Sequence, residues 1–309
     1  MPRLTTLRNL DLERATGRGR PLHIAAASGL VSVGDRLYVV ADDELHLGVF
    51  DRTGRRPGEL VRIRAGTLPR RKRARKRAKP DFEALVALPP FGPFAFGALL
   101  VIGSGSRQTR RIGALVRLDA SGDVVPPARA VGLDAWHRAL ADRFDVVNIE
   151  GAFVDGPTLS LLQRGNMSDP RNARIRITLA PILDALARRR RIPCPSIERI
   201  ASFRLGAIRG TPLCFTDGAA LPGGGFAFSA VAEATDDSVA DGACKGSALG
   251  IVDGFDRLRG LWRLSPPLKV EGVVAHVDGT RVRLLACTDA DDADVPARLL
   301  GVQLDYRRM

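Results

Sequence analysis

Aromatic side chains are scarce in this 309-residue chain, at 5% of its length. A core of stacked rings is excluded, so the 45% of apolar residues must pack mainly as aliphatics. Cysteine is thin as well. Cys194, Cys214, Cys244 and Cys287 lie far apart and form no CxxC pair, which excludes a zinc knuckle and a disulfide scaffold and predicts buried thiols. No run approaches the roughly 18 apolar residues of a membrane span. Residues 1–27 hold none of the apolar stretches of about 7–15 residues that mark a secretory leader. A cytoplasmic protein with no membrane partner is the expectation. Common catalytic templates are missing too. His23, His46, His137 and His276 form no HExxH, no GK[ST] follows Gly103-Ser104-Gly105-Ser106, and neither serine sits in GxSxG.

Charge of one sign is present in excess, but it is localised. Of the formal +13, eight charges lie in residues 70–79 and four in Arg188–Arg191, leaving the body of the chain near neutral. The run at 70–79 is a possible polyanion patch. No aromatic residue is interleaved in it for base stacking, so a solvated loop or short basic helix is the plainer expectation.

Thirty-two glycines and twenty prolines point to many short strands and turns. A short motif then sets the period. An acid or Ser, a small residue and an apolar pair recur at Ser28-Gly29-Leu30-Val31, Glu83-Ala84-Leu85-Val86, Glu150-Gly151-Ala152-Phe153, Asp217-Gly218-Ala219-Ala220 and Glu271-Gly272-Val273-Val274. The intervals are 55, 67, 67 and 54 residues. After each copy come a second and a third apolar strand, and after four copies a fourth. The last copy lacks its fourth strand, and Leu7–Leu12 supplies it. The fold class predicted is all-β: one domain over 1–309, a five-bladed β-propeller closed by the N-terminal strand. Its blades cover about 28–64, 83–133, 150–205, 217–264 and 271–305, the last completed by 7–12. Helical spacing of Leu133, Trp136, Leu140 and Phe144, and of Ile182, Leu183 and Leu186, adds two helices between strands.

In a propeller the inner strands begin at one end of the central channel, and the loops after the second strands return there. Ser28, Glu83, Glu150, Asp217 and Glu271 should therefore converge. Four carboxylates crowded in a poorly hydrated channel repel one another unless a cation sits among them. Ca²⁺ suits such a site, because it accepts six to eight oxygens in flexible geometry. The second set of loops adds Asp42, Arg107, Arg164, Asn166, Glu233 and Asp289. Arginines beside a cation suit a phosphorylated or other anionic small molecule.

The ordered set Ser28, Glu83, Glu150, Asp217, Glu271 resembles the calcium-activated nucleotidase (apyrase) family. That family is a five-bladed propeller with one central calcium held by Ser and Glu residues at inner-strand starts. Phe215-Thr216-Asp217-Gly218-Ala219-Ala220-Leu221-Pro222 looks like its fourth motif, with Thr216-Asp217 in place of paired serines, and Tyr38–Asp43 looks like its loop after the first calcium strand. Gln163-Arg164 falls where the family has arginines near substrate. The chain also resembles bacterial propeller proteins related to the esterase-like phytase group. The resemblance implies a calcium-dependent hydrolase of phosphate esters or anhydrides, in which Arg107 and Arg164 neutralise charge and Glu233 or Asp289 orients the attacking water. The alternative is a non-enzymatic propeller whose ion is structural and whose open face binds an anionic partner.

Overall fold

Strand β1 (Leu4–Asn9) opens the chain in the computed structural model, which describes residues 2–235, 242–279 and 281–305. Blade one follows as β2 (Ala27–Val33), β3 (Arg36–Ala41), β4 (His46–Asp51) and β5 (Glu59–Arg62). Helix α1 (Lys72–Ala78) leads into blade two, which is β6 (Phe82–Leu88), β7 (Ala98–Gly103), β8 (Ile112–Leu118) and β9 (Val124–Gly132). After α2 (Asp134–Ala141), blade three comprises β10 (Ile149–Asp155), β11 (Thr158–Gln163), β12 (Asn172–Thr178) and, beyond α3 (Ala180–Ala187), β13 (Ile197–Phe203). Blade four adds a two-residue strand, β14 (Ala207–Ile208), to β15 (Thr211–Ala220), β16 (Phe226–Ala234), β17 (Ala243–Val252) and β18 (Leu258–Arg263). Blade five is β19 (Val270–Asp278), β20 (Arg281–Thr288) and β21 (Arg298–Asp305), with β1 as its outer strand.

The innermost strands β2, β6, β10, β15 and β19 contact one another in a closed cycle. Their crowding explains the small residue of the repeated motif. A Cβ on Gly151 would lie 2.9 Å from the Asp217 Cα, and one on Gly272 would lie 2.9 Å from the Leu30 Cβ. Five apolar clusters fill the spaces between adjacent blades, one per interface. Contrary to the expectation of a core without packed rings, that between blades three and four gathers Phe153, Phe203, Phe215, Phe226 and Phe228, ring against ring. Between blades three and four Arg174 is 1% exposed, lies over the rings of Phe153 and Phe226, and donates to Ser160 Oγ and to the Gly224 carbonyl at 2.9 Å each.

Ring closure follows the expected scheme with a shift of about three residues. Leu4 pairs with Val302 and Asn9 with Arg298, so the closing strand is 4–9 rather than 7–12. The reason is burial. Leu10 and Leu12 are core residues at the blade-five to blade-one interface, while the paired strand itself is largely exposed. Both helices expected between strands form, and Trp136, Leu140, Ile182 and Leu186 are their buried faces. The thiols divide: Cys214 and Cys287 are buried, Cys244 is half-buried and Cys194 is exposed. No helix among the described residues is long and apolar enough to cross a membrane.

Two expected outcomes follow from this packing. Deleting residues 2–9 uncovers the edge of β21, so the melting temperature should fall and the protein should self-associate on sizing as its concentration rises. An unchanged melt would show that β1 does not close the ring. The second concerns His137 of α2, which is 2% exposed, with its ring against Gly105 at φ +77°. Burial, aided by the Arg111 charge, lowers its pKa to about 4. The unfolded chain takes up this proton near pH 6.5 and the folded chain does not. Stability from this group is therefore complete above about pH 6.5 and falls as pH drops toward 4, by up to about 3 kcal/mol. Urea unfolding of His137→Gln should show a shallower loss between those pH values than wild type.

Candidate functional site: an axial cup of carboxylates

Each inner strand carries one β-bulge, at its second residue in four blades and at the sixth of β15. The bulged residues are Ser28, Glu83, Glu150, Thr216 and Glu271, each lying between an apolar and a small or acidic neighbour. A bulge re-aims the side chain it adds. Here that turn sends Ser28, Glu83, Glu150 and Glu271 into one polar cup at the mouth of the channel.

Asp217 does not join them. It occupies the position that Gly29, Ala84, Gly151 and Gly272 hold in the other blades, one residue past the bulge. Its carboxylate is 1% exposed and accepts the Gly218 N–H at 2.8 Å and the Val273 N–H at 2.9 Å, with the Leu30 N–H close by. It ties blades one, four and five together deeper in the channel. Burial holds its pKa well above the usual range, although those N–H groups favour the charged form. Thr216 takes the bulge position of blade four but does not line the cup; its hydroxyl lies 2.8 Å from both the Val270 carbonyl and Ser229 Oγ. The legible signal was the buried apolar residue before each bulge: Ala27, Phe82, Ile149, Phe215 and Val270.

Residues two places ahead of the bulges also face the cup, as strand alternation requires. They are Asp81, Asn148, Cys214 and Lys269, and the sequence motif missed them. Asp81 adopts φ +57° and gathers four donors: Lys79 Nζ at 2.9 Å, Arg110 Nη1 at 2.7 Å, the Ser104 hydroxyl at 2.5 Å and, more distantly, the Ser106 hydroxyl at 3.5 Å. Arg110 is 1% exposed in the 3-10 turn Gln108–Arg110. Arg107, one turn earlier, is exposed and lies outside the cup. Asp42, Arg164, Asn166, Glu233 and Asp289 all line it. Asp236 and Asp237, in the loop after Glu233, lie outside the described residues.

Seven carboxylates and four basic groups line this cup. Lys79 Nζ bonds Asp42, and Lys269 Nζ reaches Asp291 at 2.6 Å, Asp289 at 3.3 Å and Glu271 at 3.4 Å. Arg164 bridges Glu150 at 3.1 Å and Glu233 at 2.5 Å. Glu83 makes no hydrogen bond or ion pair among the described residues. Burial, then its neighbours Glu150, Asp81 and Asp42, hold its pKa well above the usual carboxylate range. Burial also lifts Asp42 to about 6, Asp289 to about 7 and Glu271 to about 8, against the pull of the lysine beside each. Desolvation alone would lower Lys79 and Lys269, but the surrounding carboxylates outweigh it and keep both firmly protonated.

The cup encloses about 70 Å³. At roughly 10–15 Å³ of such volume per water, it holds an ion with a few waters or one small polar group. A side chamber of about 200 Å³ shares Asp42, Lys79, Lys269 and Asp289 with it and runs past Ala25, Ala26 and Ala293 toward α1. The basic run is thus partly structural. Arg75 bonds Asp43 at 2.7 Å and Glu44 at 2.7 Å, and Lys79 is equally buried, whereas Arg70, Arg71, Arg73 and Arg77 face solvent.

Removing Arg164 leaves two buried carboxylates facing each other. Arg164→Ala should therefore destabilise the fold by about 3 kcal/mol at neutral pH, and lowering the pH toward 5 should return part of the loss, because protonating Glu150 relieves the repulsion. Denaturant midpoints at the two pH values check this; an unperturbed midpoint at pH 7 would show that the bridge carries no stability.

No curated protein matches the chain. Among solved structures it is similar to the GH93 α-L-arabinofuranosidase of Fusarium graminearum, at 8% identity and TM-score 0.48, covering 96% of this chain and 97% of that one. It is also similar to a luciferin-regenerating enzyme, at 10% identity and TM-score 0.46, covering 98% and 95%. A third is the Dos1 propeller, at 14% identity and TM-score 0.39, covering 92% of this chain and 61% of that one. The chain spans only 52% of another match, the tail fibre of Staphylococcus aureus phage P68. These likenesses carry no activity across. A family model does match, over residues 23–304, and the chain belongs to that family of unknown function, DUF6929.

Proposed function

We propose that the axial cup is a divalent-cation site, best suited to calcium, in a hydrolase of phosphate esters or anhydrides. The observation that carries this reading is the surplus of carboxylate over cations in the cup, with the Glu83 carboxylate making no hydrogen bond or ion pair among the described residues. Ligand oxygens of Asp42, Asp81 and Glu83 lie within 4.8 Å of one another. Two oxygens on opposite sides of one Ca²⁺ are about 5 Å apart at the usual bond length of about 2.4 Å. The donor set fits the ion, with Lys79 as its competitor for Asp42 and Asp81. When bound, such an ion supplies Lewis-acid polarisation of a phosphoryl oxygen. The chain's own groups do the rest: Lys269 and Arg164 favour an anion at the cup, and Asp289 or Glu233 orients a water. The side chamber takes the remainder of the substrate. The likeness of the motif to the calcium-activated nucleotidases supports the same reading, with Thr216 rather than Asp217 at the fourth bulge position.

One observation favours the alternative, a non-enzymatic propeller with a structural ion and an anionic partner. Arg164 is fully engaged by Glu150 and Glu233, which leaves it little freedom to grip a ligand. Activity separates the two. Calcium should raise the melting temperature of chelator-treated protein by mass action, and Glu83→Gln should abolish most of that rise. Phosphate release from a panel of nucleotides and phosphomonoesters should require calcium and fall about ten- to a thousandfold in Lys269→Met. A calcium-dependent melt without turnover of any substrate would select the binding protein; no calcium response at all would end both readings.

A further inference from the structure

Several arginine groups in this protein are neutralised from within. Arg20 and Arg75 converge on Asp43 and Glu44. Arg174, Arg176 and Arg199 converge on Asp256, and Arg36 lies between Asp51 and Asp123. A concave cluster without such neutralisation lies on the outer side of blades two and three, away from the axial cup. There Arg129 of β9, Arg138 of α2 and Arg189, Arg190 and Arg191 after α3 line one hollow of about 540 Å³. Asp134 is its single carboxylate. None of the five arginines makes an ion pair among the described residues; of that run only Arg188 does, with Asp184 at 2.6 Å.

The hollow is held in shape. Arg129 is half-buried, and its Nη2 donates to the Leu186 carbonyl at 2.7 Å, which ties β9 to the end of α3 and fixes the guanidinium at the floor. Burial and then the nearby Arg189 charge lower its pKa, the mark of a cation with no counter-charge. Arg189 itself sits at φ +55°, a left-handed conformation uncommon for a residue with a Cβ, and this turn folds the run back toward β9. The buried Val131, Leu186 and Ile192 give the walls an apolar backing.

We propose that this hollow is a binding site for a compact multivalent phosphate anion, a chain of two or three phosphoryl groups. Guanidinium groups bind phosphoryl oxygens bidentately, and five of them around one concavity match a ligand with several charges better than a single phosphate. Such a chain occurs free or as the tail of a nucleotide, and the chemistry recognised is the same. The anion recovers the mutual repulsion of the arginines, so its binding weakens steeply with salt.

Titration calorimetry with tripolyphosphate tests this, in chelator and at low salt so that the axial cup holds no metal. One site per chain is expected. Arg190→Gln combined with Arg191→Gln, both exposed positions, should weaken it at least tenfold without moving the melt, and Arg129→Gln should do so as well. Neutralising Arg71, Arg73 and Arg77 in the other basic run should leave it unchanged. Equal loss from either set would reduce the effect to unspecific charge and overturn the proposal, as would no binding by wild type. ATP bound as tightly as tripolyphosphate supports the phosphate chain as the determinant. ATP bound with tripolyphosphate rejected would move recognition to the base and overturn it too.

Discussion

Carboxylates crowded at the axis repel one another, and much of this structure answers that repulsion. The ring glutamates Glu83, Glu150 and Glu271 come from three different blades, and Asp42, Asp81, Glu233 and Asp289 approach from the loops around them. Buried charges of one sign at such separations are tolerated only when cations stand between them or protons are taken up. Both answers are visible. Lys79, Lys269 and Arg164 each bridge carboxylates from two or more segments, and the pKa values of Asp42, Asp289 and Glu271 rise toward neutrality. Glu83 has only the second answer: its carboxylate has no ion pair among the described residues, and its pKa rises well above the usual range.

The same requirement explains the geometry of the inner strands. A regular strand would send alternate side chains between the blades, where apolar clusters leave no room for an acid. One bulge in each inner strand lifts a single residue out of that alternation, and in four blades aims it into the cup. A small residue must follow in most blades, because the neighbouring inner strand is close enough to meet a Cβ. Blade four breaks the rule with Asp217, and its carboxylate fills the gap by accepting backbone N–H groups across the channel.

Helix α1 shows how charge is allocated between fold and surface. Two of its segment's cations, Arg75 and Lys79, are drawn into the acidic loops of blade one, which fixes α1 beside the side chamber. A polybasic run is therefore a poor guide to the charge that a partner meets. The second basic run differs, since Arg189, Arg190 and Arg191 meet Arg129 and Arg138 rather than acids.

The five-bladed architecture was legible because its unit is short and repeated. Strand period, turn chemistry and a motif recurring every 54 to 67 residues are local properties, and the absent fourth strand of the last unit called for the N-terminal segment. Ser28, Glu83, Glu150 and Glu271 were legible for the same reason. The register of a bulge is not local. Whether Thr216 or Asp217 takes the bulge position depends on how β15 pairs with β16, and a shift of one residue exchanges channel for interior. Nor does sequence order say that Arg110 rather than Arg107 turns inward, or that Lys79, Asp81 and Lys269 meet acids from other blades. Those pairings are contacts between distant segments, set only when closure of the ring brings the ends of five blades to one axis.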